Sequence, residues 1–418
     1  MSTTAEVVEQ PPVEPEGGVR GYLKVVRTPG MPAWTSIVLC QRLPVAMSPL
    51  ALVYLGHLAA SSSAVGAVLA GANAFAEALT ASVMGRRFDR KPARTEIRLV
   101  LGLQAAMLLA LAIPTLIDPG SLPVWSMLLL AAGAGAISSG AHGGLRALLV
   151  RTVDPSAHHA ALSLESSLTT LVWAVGPAVV GLVALFAGEA WPLVVCAAIA
   201  LHGLLAAGEL HDADPTQTGE DAPERVRIFR LSWPAAFQEG AVLVCVGAAY
   251  TGLPQLLDSL GTDGEVAGPV LAAFAAAGMV GGLIYGSRKW SGAYRTQTTV
   301  LVMAVAVLVG LAVVMPNAIL IITLMILSGL AGTPALVARA AGLQELLPES
   351  TWAAGFSSLY AAGGVGFGAA GLIVAGLIEP VGIRTALIAC VALAAAAALI
   401  GAIGEDVLAE TKARTTET

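Results

Sequence analysis

Long apolar runs, separated by short polar connections, dominate the hydrophobic pattern of this chain. A helix that crosses a membrane needs about 20 consecutive and mostly apolar residues. About twelve runs meet that length: 33–57, 63–84, 97–117, 123–148, 160–186, 190–208, 232–257, 266–286, 297–315, 317–338, 352–378 and 381–403. The pattern therefore predicts an all-α membrane protein with about twelve transmembrane helices.

The polar stretch 209–230 divides these runs into two sets of six. It is rich in Asp, Glu, Pro and Gly, a composition typical of a linker. The expected organisation is an N-terminal tail 1–30, a six-helix half 31–208, a linker 209–230, a second half 231–405 and a tail 406–418. Residues 1–20 are acidic and Pro-rich without an apolar core, so we expect insertion to begin at the first run rather than at a signal peptide.

Composition narrows the class of protein further. Charged residues make up 12% of the chain and the mean hydropathy is +0.79, whereas soluble domains carry roughly 25% charged residues. No catalytic, phosphate-binding or dinucleotide-binding motif is found. The four cysteines lie singly inside apolar runs, as small hydrophobic residues do. We therefore expect no enzyme, catalytic residue, cofactor, metal site or nucleic-acid partner.

Lys and Arg residues lie on alternate sides of the predicted spans. With the N-terminus in the cytoplasm, 20 of the 22 Lys and Arg residues fall on the cytoplasmic side, and Arg42 and Arg384 are the exceptions. Such a bias sets the orientation of membrane proteins. The pattern favours an even number of spans with both termini in the cytoplasm.

A basic segment, 85–94 (GRRFDRKPAR), connects the second and third runs. A shorter copy, 286–290 (GSRKW), occupies the corresponding place in the second half. The spacing of Gly85 and Asp89 resembles the loop between helices two and three of the major facilitator superfamily. That resemblance implies two pseudo-symmetric six-helix halves around a central cavity, a fold of secondary transporters in the plasma (inner) membrane, here of a bacterium.

The same resemblance implies a conformational latch at this segment. In the family, the Asp and the neighbouring arginines join the cytoplasmic ends of the two halves and separate during transport. The latch residues expected here are Gly85, Arg87, Asp89, Arg90 and, in the second half, Arg288. Positive-inside topology by itself explains the cations, but it does not explain Gly85 or Asp89.

Polar residues inside the apolar runs are the candidates for substrate binding and proton coupling. Ionisable groups are costly in hydrocarbon, so they face a cavity or a partner. The candidates are Arg42, Glu77, His142, Glu165, Gln238 and Glu239. Arg42 lies deep in the first span and needs an acceptor, for which Glu77, Glu165 and Glu239 are available. The alternatives are structural ion pairs, or side chains that reach water at the membrane surface.

Gly176 and Pro177, followed by Gly181, partly resemble the antiporter motif of the family. A proline kink with a small packing face explains the same residues. The resemblance implies a monomeric carrier that exports a small organic solute in exchange for protons across the lipid bilayer. A proton-coupled importer and a non-transporting sensor or partner-binding protein are the alternatives.

Overall fold

The structure is a computed structural model that describes residues 18–61, 63–210, 224–262 and 266–416. Within those ranges the chain is helical and contains no β-strand. Twelve of the described helices are long and apolar enough to cross a membrane. The prediction of an all-α fold with about twelve transmembrane helices is therefore confirmed.

A short helix, α1 (Val19–Arg27), precedes the membrane-spanning helices. The first half consists of α2 (Met31–Ala60), α3 (Ser63–Arg90), α4 (Ala93–Ile117), α5 (Val124–Thr152), α6 (His158–Ala187) and α7 (Trp191–Ala206). The second half consists of α8 (Glu224–Asp258), α9 (Ala267–Gly286), α10 (Tyr294–Val314), α11 (Ala318–Leu346), α12 (Trp352–Val381) and α13 (Ile383–Thr416).

Several helices extend beyond the apolar runs from which they were predicted. Helix α3 continues through Arg90, so most of the basic segment is helical and its connection to α4 is only two residues long. Helix α11 ends at Leu346 rather than near 338, and α13 continues through most of the proposed tail 406–418. Polar helix ends emerge from the apolar layer, and hydropathy alone does not detect them. Most of the linker 209–230 and of the tail 1–30 lies outside the described residues.

Glycines permit the closest approaches between neighbouring helices. A Cβ atom on Gly56 of α2 would lie 2.3 Å from the Cα atom of Gly66 in α3, and one on Gly281 of α9 would lie 2.0 Å from the carbonyl oxygen of Leu330 in α11. Side chains cannot be accommodated at such distances. Small residues at interfaces are typical of helices that pack in lipid, where close backbone contact replaces the hydrophobic driving force.

Apolar side chains cover the outer surface of the bundle. Large hydrophobic residues on α4, α7, α10 and α13 are exposed, including Ile113, Leu205, Val300 and Ile403. Contiguous exposed apolar surface of this kind is costly in water and stable against lipid.

Both halves present their basic connections at the same end of the bundle, which we call the basic face. It comprises α1, the α3–α4 and α9–α10 connections, and the 3₁₀ turns Pro155–Ala157 and Glu349–Thr351 that precede α6 and α12. Contacts tie these parts together. The Lys24 ammonium lies 3.2 Å from the Asp154 carboxylate, and the Arg151 guanidinium lies 3.7 Å from that of Glu349.

Candidate functional site

Five ionisable side chains from both halves form a buried cluster, which we call the central charge cluster. Its members are Arg42 of α2, Arg146 of α5, Glu165 of α6, Glu239 of α8 and Arg339 of α11. None of the five is more than 8% exposed. Charges so far from water are stable only when they are paired and hydrogen-bonded.

Glu165 lies between two arginines. Arg42 donates hydrogen bonds to one carboxylate oxygen of Glu165 and to the hydroxyl of Thr169, and the Nε atom of Arg146 donates to the other oxygen at 2.8 Å. Both oxygens of this fully buried carboxylate therefore have a cationic donor. Among the three candidate acceptors for Arg42, the structure selects Glu165, and the idea that Glu165 reaches water at the membrane surface is wrong.

Glu239 forms the second ion pair of the cluster, with Arg339. Arg146 interacts with both members electrostatically and lies over the ring of Phe356, 5.7 Å from its centroid. A Cβ atom on Gly363 would lie 3.2 Å from an oxygen of Glu239, so α12 packs closely against this carboxylate. Glu239 is thus held by one arginine, whereas Glu165 is held by two.

Tyr360 of α12 connects the remaining titratable candidates across the boundary between the halves. Its hydroxyl is hydrogen-bonded to Glu77 of α3. Its ring stacks on the imidazole of His142 of α5, with centroids 3.9 Å apart and an interplanar angle of 20°. Residues of α3 and α5 in the first half therefore contact the same α12 side chain.

Gln238 does not face the central charge cluster. Its amide nitrogen lies 3.3 Å from the hydroxyl of Thr299 in α10 and 3.5 Å from the carboxylate of Glu405 in α13. Its immediate neighbour Glu239 faces Arg339 instead, because consecutive helical residues point in different directions. The structure therefore brings five of the six candidates to the boundary between the halves or to the charge cluster, and places Gln238 elsewhere.

Asp89 of α3 caps α12 from across that boundary. Its two carboxylate oxygens accept hydrogen bonds from the backbone N–H groups of Ala353 and Ala354, at 3.1 and 3.0 Å. These are N–H groups of the first helical turn, which have no partner within a helix. Thr351 at the N-cap provides no side-chain hydrogen bond. The negative charge also favours the positive end of the helix dipole.

Asp89 forms its ion pair with Arg151 of α5 rather than with one of the arginines next to it in sequence. The guanidinium of Arg151 lies 2.9 Å from the carboxylate of Asp89. Arg87 instead donates two hydrogen bonds to Glu96 of α4, within the same half. Arg90 and Arg288 are exposed on the basic face. Among the five expected latch residues, Asp89 and Gly85 are the two for which the structure shows contacts with the other half.

Gly85 and Gly143 bring α3 and α5 against the first turns of α12. A Cβ atom on Gly85 would lie 2.8 Å from the carbonyl oxygen of Ala353, and one on Gly143 would lie 2.3 Å from the hydroxyl of Ser357. Ser357 itself donates to the carbonyl oxygen of Gly140 at 3.3 Å. In this part of the boundary, the backbones of α3 and α5 therefore lie close to the backbone of α12.

Helix α6 contacts α9 and α11 of the second half, and its hydrogen bonds to α9 involve backbone carbonyl groups. Ser163 donates to the carbonyl oxygen of Gly282, Ser167 donates to that of Met279 at 3.3 Å, and the Nε2 atom of His159 lies 3.0 Å from that of Tyr285. These residues lie in the part of each helix that is nearer the basic face. The halves therefore meet on the basic side of the described bundle.

The antiporter-like residues lie on α6, where it contacts α2. A Cβ atom on Gly176 would lie 2.9 Å from the Cβ atom of Ala46, and α6 continues through Pro177. No atom lies within 4 Å of a Cβ atom built on Gly181. Gly176 thus has a packing role within the first half, and Gly181 has open space beside it.

Four functional residues escaped the sequence analysis as site candidates: Arg146, Arg151, Arg339 and Tyr360. The charge pattern places Arg146 and Arg339 among the cations of the cytoplasmic side. The available signal was that these two arginines occupy equivalent helices of the two halves, because a cation repeated at equivalent positions indicates more than topology. Tyr360 carried no signal in the sequence.

Among the residues that the structure describes, no three His, Cys, Asp or Glu side chains are grouped so that they could hold a metal ion. The four cysteines are buried and unbridged.

The sequence profile of the Major Facilitator Superfamily matches residues 34–296. No curated protein matches the chain by sequence. Solved structures are similar in fold. A bacterial homologue of the iron transporter ferroportin, in the outward-facing state with soaked iron, has a TM-score of 0.66 at 15% identity, over 89% of this chain and 98% of that one. The E. coli fucose:proton symporter FucP has a TM-score of 0.66 at 13% identity, over 90% of this chain and 99% of that one. The human organic anion transporter MFSD10 (TETRAN) has a TM-score of 0.62 at 16% identity, over 94% of this chain and 100% of that one.

Proposed function

Because this chain belongs to the Major Facilitator Superfamily, it is a multi-pass secondary transporter and not an enzyme, and we propose that it exports a small organic solute in exchange for protons. The observation that carries this proposal is the ion pair of Glu239 and Arg339 inside the bundle. A proton that binds Glu239 neutralises it and releases Arg339, which cannot lose its own proton. Proton binding and the charge available to a solute are thereby linked.

Glu239 is a better proton carrier than Glu165. Glu165 is fully buried and both of its oxygens accept from arginines, so its protonation would leave two buried cations without their partner. Glu239 has a single arginine as its ion-pair partner and is 8% exposed. We therefore assign the exchanging proton to Glu239 and a structural role to Glu165. Glu77 and His142, which meet at Tyr360, would sense the separation of the halves.

The conformation supports alternating access. Contacts near the basic face hold the halves together through α12 with α3 and α5, and through α6 with α9. We take the basic face as cytoplasmic, because Lys and Arg residues concentrate there. The conformation is then closed toward the cytoplasm, and we propose that both termini are cytoplasmic and that the carrier acts as a monomer in a bacterial plasma membrane. Rocking one half against the other would open the basic face.

The export direction rests on the resemblance of Gly176 and Pro177 to the antiporter motif. Import with protons is the second candidate, since the fucose:proton symporter shares the fold. The two modes differ in a measurable sign. When solute enters a vesicle, an exchanger moves protons out, whereas a symporter moves protons in.

The experiment uses purified protein in vesicles that contain a pH-sensitive dye. A thermal-shift screen of small organic cations, anions and neutral amphipathic compounds selects the solutes to test. Each selected solute is then added outside without a pH gradient. An exchanger makes the interior more alkaline, and a symporter makes it more acidic. An interior pH that does not change while labelled solute accumulates would exclude proton coupling altogether.

Glu239→Gln tests the residue assignment. We expect loss of the pH change, with exchange of labelled for unlabelled solute retained, because exchange does not require net proton movement. Glu379→Gln, at an exposed position near the other end of α12, is the matched control and should behave as the parent protein. A Glu239→Gln protein with an unchanged pH response would remove Glu239 from the mechanism.

A further inference from the structure

Helix α1 has three distinct faces, although it is only nine residues long. At 100° per residue, Gly21, Val25 and Tyr22 fall on one side and pack against the bundle. Val19, Leu23 and Val26 form an exposed apolar stripe beside them, with 72%, 44% and 59% of their surfaces accessible. The basic residues form a third stripe: Arg20, Lys24 and Arg27. A soluble surface helix has no need of the exposed apolar stripe.

The bundle-facing side of α1 contacts both halves. The Tyr22 hydroxyl donates to the carbonyl oxygen of Leu283 in α9 at 2.6 Å and lies 3.1 Å from the hydroxyl of Ser163 in α6. The ammonium of Lys24 lies 2.8 Å from the hydroxyl of Ser156 in the first half. The backbone N–H of Gly18, just before the helix, donates to the carbonyl oxygen of Ser287 in the second half. The apolar stripe is exposed, and so are Arg20 and Arg27 of the basic stripe.

We propose that α1 is a docking surface for anionic phospholipid headgroups of the cytoplasmic leaflet, and that lipid bound there stabilises the closed basic face. An apolar stripe adjoining a basic stripe is the arrangement of helices that lie in the membrane interface. The apolar stripe enters the acyl boundary, while Arg20 and Arg27 reach the phosphates. The helix is already at the correct depth, because the next helix, α2, begins only four residues later and crosses the membrane.

The positive charge of α1 favours anionic phospholipid as the ligand. Each basic side chain near an anionic membrane surface contributes about a fivefold increase in association. Arg20 and Arg27 are exposed on the same side of the helix, two turns apart, with the exposed Leu23 on the adjoining stripe. Apolar and cationic groups side by side match a phospholipid, which carries both an acyl chain and a phosphate.

Tyr22 makes this site sensitive to conformation. Its hydroxyl contacts α6 and α9, which belong to different halves and separate when the basic face opens. Lipid that holds α1 in place therefore favours the closed basic face. This consequence requires neither a known solute nor proton coupling, so its failure would leave the proposed function untouched.

Docking is measured with a fluorescent label on Val19→Cys, in full-length protein in vesicles of phosphatidylcholine and phosphatidylglycerol. The four native cysteines are buried, and the parent protein without the new cysteine provides the blank. Brominated acyl chains quench the label, and they are placed on one lipid class at a time. We expect stronger quenching from phosphatidylglycerol. Arg20→Gln and Arg27→Gln should each reduce that preference about fivefold at low ionic strength.

Arg288→Gln is the matched control, since Arg288 is an exposed cation of the same face outside α1. It should leave the lipid preference unchanged. Equal quenching by the two lipid classes, or none by either, would overturn the proposal. A preference that emerges only after removal of residues 2–16, which contain Glu6, Glu9, Glu14 and Glu16, would assign the basic stripe to that acidic segment and would also overturn it.

The conformational consequence is measured with Ser357→Cys, because Ser357 is fully buried at the closed basic face. We expect its alkylation rate to fall several-fold when phosphatidylglycerol replaces phosphatidylcholine. Tyr22→Phe should abolish this lipid dependence and retain the quenching preference, since it removes only the hydroxyl contacts. A Tyr22→Phe protein with the parent's lipid dependence would overturn the link between docking and closure.

Discussion

The carboxylate of Asp89 accepts a hydrogen bond from the backbone N–H of Ala353 at 3.1 Å, although the two residues belong to different halves of the protein. The first turn of α12 is thereby capped by a residue more than 260 positions away. A helix normally takes its cap from the preceding few residues. When the halves separate on this side, α12 loses its cap, so the hydrogen bond exists only in one conformation.

Asp89→Asn should therefore favour opening of the basic face. The substitution removes the charge that holds Arg151 and two backbone donors, contacts that are worth about 1.5–3 kcal/mol each when one partner is charged. Spin labels on the exposed positions 90 and 288 should report a larger population of long distances. Asp118→Asn, at the opposite end of the bundle, is the control. An unchanged distance distribution would show that Asp89 does not hold the halves together.

Gly143→Ala should open the same face by steric exclusion. The new methyl group would lie 2.3 Å from the Ser357 hydroxyl and 2.4 Å from the carbonyl oxygen of Ala353, so α5 and α12 must move apart. Overpacking of this kind costs about 1–3 kcal/mol. We expect faster protease cleavage or alkylation at the basic face.

Gly364→Ala is the control for that substitution, because no atom lies within 4 Å of the added methyl group. It should leave accessibility unchanged and slightly stabilise α12, since alanine favours a helix more than glycine does. Equal accessibility of the Gly143→Ala protein and the parent would contradict the close contact.

Arg42→Ala should lower the thermal stability of the protein in detergent. It leaves Glu165 with one cation instead of two at a fully buried position, and breaking a buried ion pair costs about 3–5 kcal/mol. Arg98→Ala removes an exposed arginine of α4 and should change stability by no more than about 0.5 kcal/mol. If the two variants unfolded at the same temperature, Arg42 would have no structural role.

Asp154 should make the docking of α1 depend on acid pH. Hydrogen bonds from the Ser156 hydroxyl and backbone N–H, and then the contact with Lys24, lower the pKa of this carboxyl to about 2. A carboxyl whose pKa is lower in the folded state than the ordinary 3.8 stabilises that state above pH 4. The contribution is lost as the pH falls from about 4 to about 2.

Hydrogen exchange of α1 measures this effect. Asp154→Asn should increase exchange in Val19–Arg27 at neutral pH, and its difference from the parent protein should become small as the pH falls to about 2. Asp118→Asn again provides the control, since the Asp118 carboxylate accepts a hydrogen bond from the backbone N–H of Gly120 in its own turn. A difference that persists unchanged at pH 2 would contradict the assignment to the Asp154 carboxylate.

Hydropathy along the chain was sufficient for the twelve-helix fold, and the spacing of Gly85 and Asp89 indicated the family. The reason is that lipid imposes its requirement on each helix separately: about 20 apolar residues must satisfy every backbone group within one segment. The charged residues Arg42, Glu165 and Glu239 could be identified for the same reason, because each interrupts a segment that is otherwise apolar.

Pairing between helices was decided only by the tertiary structure. The sequence left three carboxylates open to Arg42, and packing of α2 against α6 selected Glu165. Arg339 lay beyond the predicted end of its helix. Asp89 binds backbone N–H groups of α12, which no side-chain pattern in the sequence could indicate. Local composition determines which segments enter the membrane, but the close approach of helices distant in sequence determines which charges meet, and therefore what the protein can do with them.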